Sequence, residues 1–187
     1  CYGALNAYHD TFVRYILKGL FEQGGHGKAM TPVEAVSLAE EHGINIEMHN
    51  PDDRKGYGLA ITLGFVDDDT RVEVRGTIVG CELEISRVND FKTRIPLREA
   101  IYVLVETSDH PGVEYQIAQN IVEAGYNRSD LGYITVPNVG LGMAFYIVDK
   151  GGISHEDQVR ELSEVVNTIS VMEPVSKATI IDLSEDV

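Results

Sequence analysis

Between Pro96 and the C-terminus the hydrophobic pattern alternates between strand and helix periods, and that order limits the possible folds more than any other feature. Ala100 to Glu106 reads as a strand, Gly112 to Ala124 as a helix, and Asp130 to Val139 and Gly142 to Asp149 as two more strands. A helix from His155 to Thr168 and a strand from Val171 to Leu183 complete the series. Val113, Ile117 and Ile121 form one helical stripe, Val159, Leu162 and Val166 another, and Ser154 with Asp157 supplies a helix start. A βαββαβ order with right-handed crossovers puts both helices on one face of a four-stranded antiparallel sheet, the ferredoxin-like arrangement. The other face is expected to stay open, and a small open-faced sheet is expected to associate.

The preceding residues follow different rules. Phe12, Val13, Ile16, Leu17 and Leu20 recur at helical spacing from Asp10 to Phe21. Thr31-Pro32-Val33-Glu34 holds the residues of a capping box, and the helix it opens is expected to end near Glu41, before His42-Gly43. The period then becomes two, with strands from Gly58 to Val66 and Thr70 to Val79 around an Asp67-Asp68-Asp69 turn. A third strand, Cys81 to Val88, is expected to close this segment before Asn89-Asp90. The class is therefore α+β, with a small α+β domain over 1–96 and the ferredoxin-like domain over 97–187. Charge changes at the same place: residues 1–97 hold 10 basic and 15 acidic side chains, residues 98–187 hold 5 and 15.

With 15 Lys and Arg against 30 Asp and Glu, the net charge is −15, so phosphate backbones and anionic lipid surfaces are poor partners. Apolar runs such as Ala144-Phe145-Tyr146-Ile147-Val148 are strand-sized and far shorter than a membrane span. Cys1 and Cys81 form no metal spacing or disulfide framework, which fits a reducing compartment, the cytoplasm. A chain opening on Cys1 with no secretory segment reads as a fragment or processed product.

Catalytic templates fail on spacing. His9, His26, His42, His49, His110 and His155 never form a two-ligand helical pair with a third partner, so no metal site is expected. Gly24-Gly25-His26-Gly27-Lys28 suggests a phosphate loop, but Glu22 stands where the first glycine belongs and Ala29 follows the lysine. Gly140-Leu141-Gly142 is half a dinucleotide fingerprint and runs into a strand. Neither a catalytic residue nor a cofactor site is expected here.

Two constellations remain. Thr107-Ser108-Asp109-His110-Pro111-Gly112 lies between a strand and a helix, and Gly125-Tyr126-Asn127 follows that helix. A helix start attracts a carboxylate, Asp109 can take an ammonium group, and Asn127 donates and accepts, so this pocket suits a zwitterionic amino acid. The alternative is that Asp109 is only the helix N-cap and Asn127 a turn residue. The second constellation is Arg71, Arg75, Arg87, Lys92 and Arg94 on neighbouring strands, which can hold a phosphorylated or dicarboxylic metabolite. The alternative there is cross-strand pairing with Glu73, Glu82 and Glu84.

Several segments resemble the C-terminal regulatory half of long-type D-3-phosphoglycerate dehydrogenases, an intervening allosteric substrate-binding domain followed by an ACT domain. They are Leu17-Lys18-Gly19-Leu20, Ala39-Glu40-Glu41-His42-Gly43-Ile44, Arg75-Gly76-Thr77-Ile78-Val79-Gly80 and Ile85-Ser86-Arg87-Val88-Asn89 in the first domain. In the second, Asp109-His110-Pro111-Gly112-Val113 and Glu123-Ala124-Gly125-Tyr126-Asn127 resemble the "DRPGV" and "EAGINI" signatures. The resemblance implies a module that self-associates through its ACT domains and senses L-serine or a related amino acid between them. NAD-dependent catalysis would lie in other domains of the parent enzyme. Carried over, the effector positions are Asp109, Asn127 and Gly112, with Thr107 and His110 standing where relatives have other residues. Arg128 stands where the family's strand continues with an apolar residue, and a cation beside the pocket would either favour a more anionic effector or destroy binding. A dimerisation module without effector, or the sensor half of another amino-acid enzyme such as a serine dehydratase, also fits these segments.

Overall fold

Thr31 and Glu34 form the reciprocal cap their spacing predicts: the Glu34 amide donates to Thr31 Oγ1 at 3.2 Å and the Thr31 amide to Glu34 Oε2 at 2.7 Å. The computed structural model describes residues 1, 3–23, 30–47, 59–66, 71–136 and 139–184. The phosphate-loop reading at Gly24 to Ala29, the Asp67 to Asp69 turn, His26, His49 and the expected strand start at Gly58 lie outside the described residues.

The chain divides into two compact units, Cys1–Thr62 and Leu63–Val187. The first contains helices α1 (His9–Gln23) and α2 (Pro32–Glu41). Leu17 and Phe21, one turn apart, bury against Ala35 and Ala39, whose small side chains let the helices approach closely. Gly43, at φ +68°, ends α2 in the left-handed conformation that glycine adopts without a Cβ penalty.

Two four-stranded sheets follow. The first has order β1-β2-β3-β4, from β1 (Ala60–Val66), β2 (Arg71–Val79), β3 (Glu82–Val88) and β4 (Phe91–Pro96). β4 is an addition to the sequence reading, which ended this segment at Asn89-Asp90. Asn89 is instead the hairpin turn: it adopts φ +49°, and its Oδ1 accepts the Glu73 amide at 2.9 Å.

The second sheet has order β6-β7-β5-β8, from β5 (Ile101–Ser108), β6 (Asn127–Val136), β7 (Leu141–Asp149) and β8 (Val175–Asp182). Helix α3 (Val113–Glu123) joins β5 to β6, and α4 (His155–Ser170) joins β7 to β8. This is the ferredoxin-like fold: β5 and β7 sit at the centre and every pairing is antiparallel. Ile101, Val103, Val105, Ala144, Tyr146 and Val148 form one core with Val113, Ile117 and Ile121 of α3 and Leu162, Val166 and Ile169 of α4.

The opposite face is not open. Tyr102, Met143, Phe145 and Ile147 bury against Phe91 and Ile95 of β4, with Ile85 and Val88 of β3 alongside. That explains why Leu141–Asp149 reads as a continuous apolar run, the mark of a strand covered on both faces. The expected division at 96/97 therefore runs through the second unit rather than between units. The Tyr102 hydroxyl secures the crossing, donating to the Pro96 carbonyl at 2.7 Å and accepting the Arg98 amide at 2.9 Å. Among the described residues no helix is long and apolar enough to cross a membrane.

Candidate functional site

Gly112 turns the chain from β5 into α3. It is the helix N-cap at φ +88°, a left-handed conformation that suits glycine, and no side chain caps the helix. Asp109 is therefore not the N-cap. Its amide donates to the Gly140 carbonyl at 2.8 Å, and its carboxylate accepts the Tyr133 hydroxyl at 3.3 Å. Burial and the neighbouring Asp109 charge both push the Tyr133 phenol above its ordinary pKa. His110 is exposed, and its carbonyl accepts the Val113 amide at 3.4 Å.

Thr107 does not share this surface. It is 1% exposed, and its hydroxyl donates to the Pro174 carbonyl at 3.0 Å, so its role is to tie β5 to the segment before β8. Asn127 is the first residue of β6 rather than a turn residue. It pairs with Asp149 and donates to that carboxylate from Nδ2 at 3.3 Å.

The strand registers put Asp109 and Asn127 at opposite ends of the sheet. Ser108 pairs with Leu141 and Asn127 with Asp149. Leu141 and Asp149 span β7, a separation of about 27 Å at some 3.4 Å per residue. One chain alone does not bring the two proposed effector contacts together.

A second surface lies along the outer edge of β6, which among the described residues pairs with β7 alone in the sheet. Tyr115, Ala118, Gln119 and Val122 of α3, with Leu131 and Arg128 of β6, line a groove of about 610 Å3. Tyr115 is 67% exposed, and Val122 and Leu131 are also largely exposed. Tyr115 and Val122 lie outside the core stripe of α3, with buried Ala118 at the margin between the two, and their helical spacing was visible in the sequence. Glu114, Glu123 and Arg128 line the same groove.

The basic set is brought onto one sheet face. Phe91, Thr93 and Ile95 of β4 point inward, and Lys92 and Arg94 outward. Arg75 pairs with Arg87, and Arg87 with Lys92, so these three form a row across β2, β3 and β4. The expected carboxylate pairing also occurs in part: Glu73 binds Arg87, and Arg71 at 3.4 Å. Glu84, buried, holds Arg94 through two bonds of 3.1 and 3.3 Å. Lys92 and Arg94 also open onto a groove of about 480 Å3 between β4 and β6, which Tyr133 and Phe145 line. Among the described residues no three His, Cys, Asp or Glu side chains gather as a metal site.

No family model matches the sequence, and no curated protein sequence matches it either. Solved structures show partial likeness. The ACT domain of GTP pyrophosphokinase from Chlorobium tepidum aligns with 43% of this chain and 95% of its own, at 11% identity and a TM-score of 0.35. Formyltetrahydrofolate deformylase from Burkholderia mallei aligns over 46% of this chain at 7% identity and a TM-score of 0.34, and 28% of its own length is spanned. A quorum-quenching acylase aligns over 88% of this chain and 85% of its own at 13% identity and a TM-score of 0.32. At these scores the assignment of the fold rests on the strand order described above.

Proposed function

We propose that this chain is an effector-sensing and self-association region, in which a second copy pairs along β6 and a small amino acid binds between the copies. The supporting observation is the separation of Asp109 from Asn127 together with the outer edge of β6 that lies between their ends of the sheet. Antiparallel pairing of two β6 strands about Leu131 and Gly132 carries Asn127 of one copy to the Val136 end of the other, beside Asp109. The same two-fold operation covers Tyr115, Val122 and Leu131, and moves Arg128 towards Glu114 of the second copy. Asp109 would then meet the ammonium group and the start of α3 the carboxylate, while Asn127 of the other copy supplies a donor and an acceptor.

L-serine is the effector we propose, and a D-3-phosphoglycerate dehydrogenase the parent, on the residue segments quoted above. NAD and the hydride chemistry would belong to other domains of that enzyme. In this reading effector binding shifts the equilibrium between two arrangements of the pair, by its differential affinity for them, typically about 1–3 kcal/mol. An assembly module without effector is the second reading, favoured by Thr107 and Asp109 being bonded to Pro174 and Tyr133 within the chain. Titration calorimetry with L-serine, with glycine for comparison and Asp109→Ala as control, separates the two. Saturable heat lost in the variant supports sensing; no heat from a folded, associated sample supports assembly alone.

A further inference from the structure

We propose that Tyr133 is a positioning residue of the effector site: its hydroxyl holds the Asp109 carboxylate in the orientation that receives the ligand's primary ammonium group. The inference rests on the sensing reading above, and it names the contact by which the site would tell an amino acid from the corresponding hydroxy acid. Asp109 is exposed, and within the described residues its polar contacts lead to neutral groups alone. Its amide donates to the Gly140 carbonyl at 2.8 Å, and Oδ1 accepts the Tyr133 hydroxyl at 3.3 Å. No Lys, Arg or His side chain pairs with it among the described residues. An ionised carboxylate offers about four lone-pair positions, so the phenol orients the group and leaves Oδ2 and the charge for a cation.

Gly142 supplies the second observation. It lies in β7, opposite Thr135 of β6 and Thr107 of β5, and it is not one of the glycines with positive φ, so its backbone conformation does not call for glycine. Glycine weakens a strand and marks the close approach of another group. Here that group is the phenol, because a Cβ on residue 142 would collide with the Tyr133 hydroxyl and Cζ. From its register opposite Ala144 the Tyr133 side chain leans over Gly142 to reach Asp109, just past the Ser108–Leu141 pair. Burial and the Asp109 charge raise the Tyr133 pKa, so the phenol remains a donor at neutral pH. Tyr146, fully buried on β7, donates its hydroxyl to the Glu114 carbonyl at 3.3 Å. Two phenols thus hold the chain on either side of the Gly112 turn, at Asp109 and at Glu114.

The test is titration calorimetry of the full chain with L-serine and with L-glycerate, in which a hydroxyl replaces the ammonium group. Tyr133→Phe removes the hydroxyl and keeps the ring, whereas Gly142→Ala keeps the hydroxyl and pushes it off Asp109; circular dichroism checks that each folds. L-serine should bind about tenfold or more weakly to each variant, as expected for loss of a hydrogen bond to a charged group. The double variant should bind it no more weakly than either single one, since both changes break the same contact. Glycerate should bind wild type at least about tenfold more weakly than L-serine, and should bind all four proteins equally. Unchanged L-serine affinity in folded Tyr133→Phe overturns this inference and leaves the sensing reading standing. So does equal weakening of L-serine and glycerate, the result of a purely structural role. A wild-type chain that binds no L-serine overturns both.

Discussion

Replacing Phe91 by alanine tests whether β4 is a structural part of the ferredoxin-like unit. Phe91 is 5% exposed and packs in one cluster with Tyr102, Met143, Phe145 and Ile147, which are 3%, 0%, 5% and 2% exposed. Deleting a buried phenylalanine ring costs about 3–5 kcal/mol, through lost transfer energy and the cavity left behind. A larger loss follows from removing residues 1–96. That exposes the four partners, each worth about 1.5–3 kcal/mol of burial as an upper bound, against a total domain stability of about 5–15 kcal/mol. Urea unfolding followed by circular dichroism and by tyrosine fluorescence measures both. Phe91→Ala should lose about 3–5 kcal/mol, and residues 97–187 alone should not fold cooperatively. A loss below about 1 kcal/mol, or a fragment as stable as the parent, would show that β4 is a detachable neighbour and refute this account of the sheet's second face.

Gly132→Ala should destabilise by about 1–3 kcal/mol in thermal or urea melts, because the Phe145 ring lies over Gly132 where a Cβ would collide with it. Arg128→Glu places a third acid beside Glu114 and Glu123, and should weaken self-association about tenfold or more in sedimentation equilibrium while leaving the monomer folded. Asp182 ties β8 to α4 through His155 at 2.8 Å. Burial acts to raise its pKa, but the Ser184 amide and His155 outweigh that and hold the carboxyl below its usual value. Because the folded pKa is depressed, the stabilisation is complete above the unfolded value near 3.9 and is lost as pH falls through the folded one. The pair is partly exposed, so Asp182→Asn should cost less than about 1 kcal/mol at pH 6, and the difference from wild type should vanish in strong acid, as urea unfolding at both pH values would show.

Local signals were legible and pairings over long sequence distance were not. Thr31 and Glu34 cap α2 within four residues of one another, and the stripes of α3 and α4 needed only their own spacing to be read. β4 carries a clear alternation, Phe91, Thr93 and Ile95 inward and Lys92 and Arg94 outward, but Asn89-Asp90 also suits the end of a segment. Its left-handed turn conformation depends on contact with Glu73, sixteen residues earlier. Asn127 also suited a turn, as a polar residue soon after Gly125, whereas its pairing with Asp149, and that of Arg128 with Val148, starts the edge strand before the expected Asp130. The candidate site shows the same limit. Asp109 was recognisable as a binding side chain, yet its bond to Tyr133, the inward turn of Thr107 and the distance to Asn127 all depend on register.

The measurement that tests the central claim most directly mixes two variants, Asp109→Ala and Asn127→Ala, and titrates the mixture with L-serine. Each variant alone should give no saturable heat, since both sites of a symmetric pair lose one contact. In the mixture a statistical half of the pairs are mixed, each with one intact site, so binding should return at about a quarter of the wild-type stoichiometry. Heat recovered at that level would establish a site shared between copies. Wild-type binding with no recovery in the mixture, or full binding by either variant alone, would contradict it.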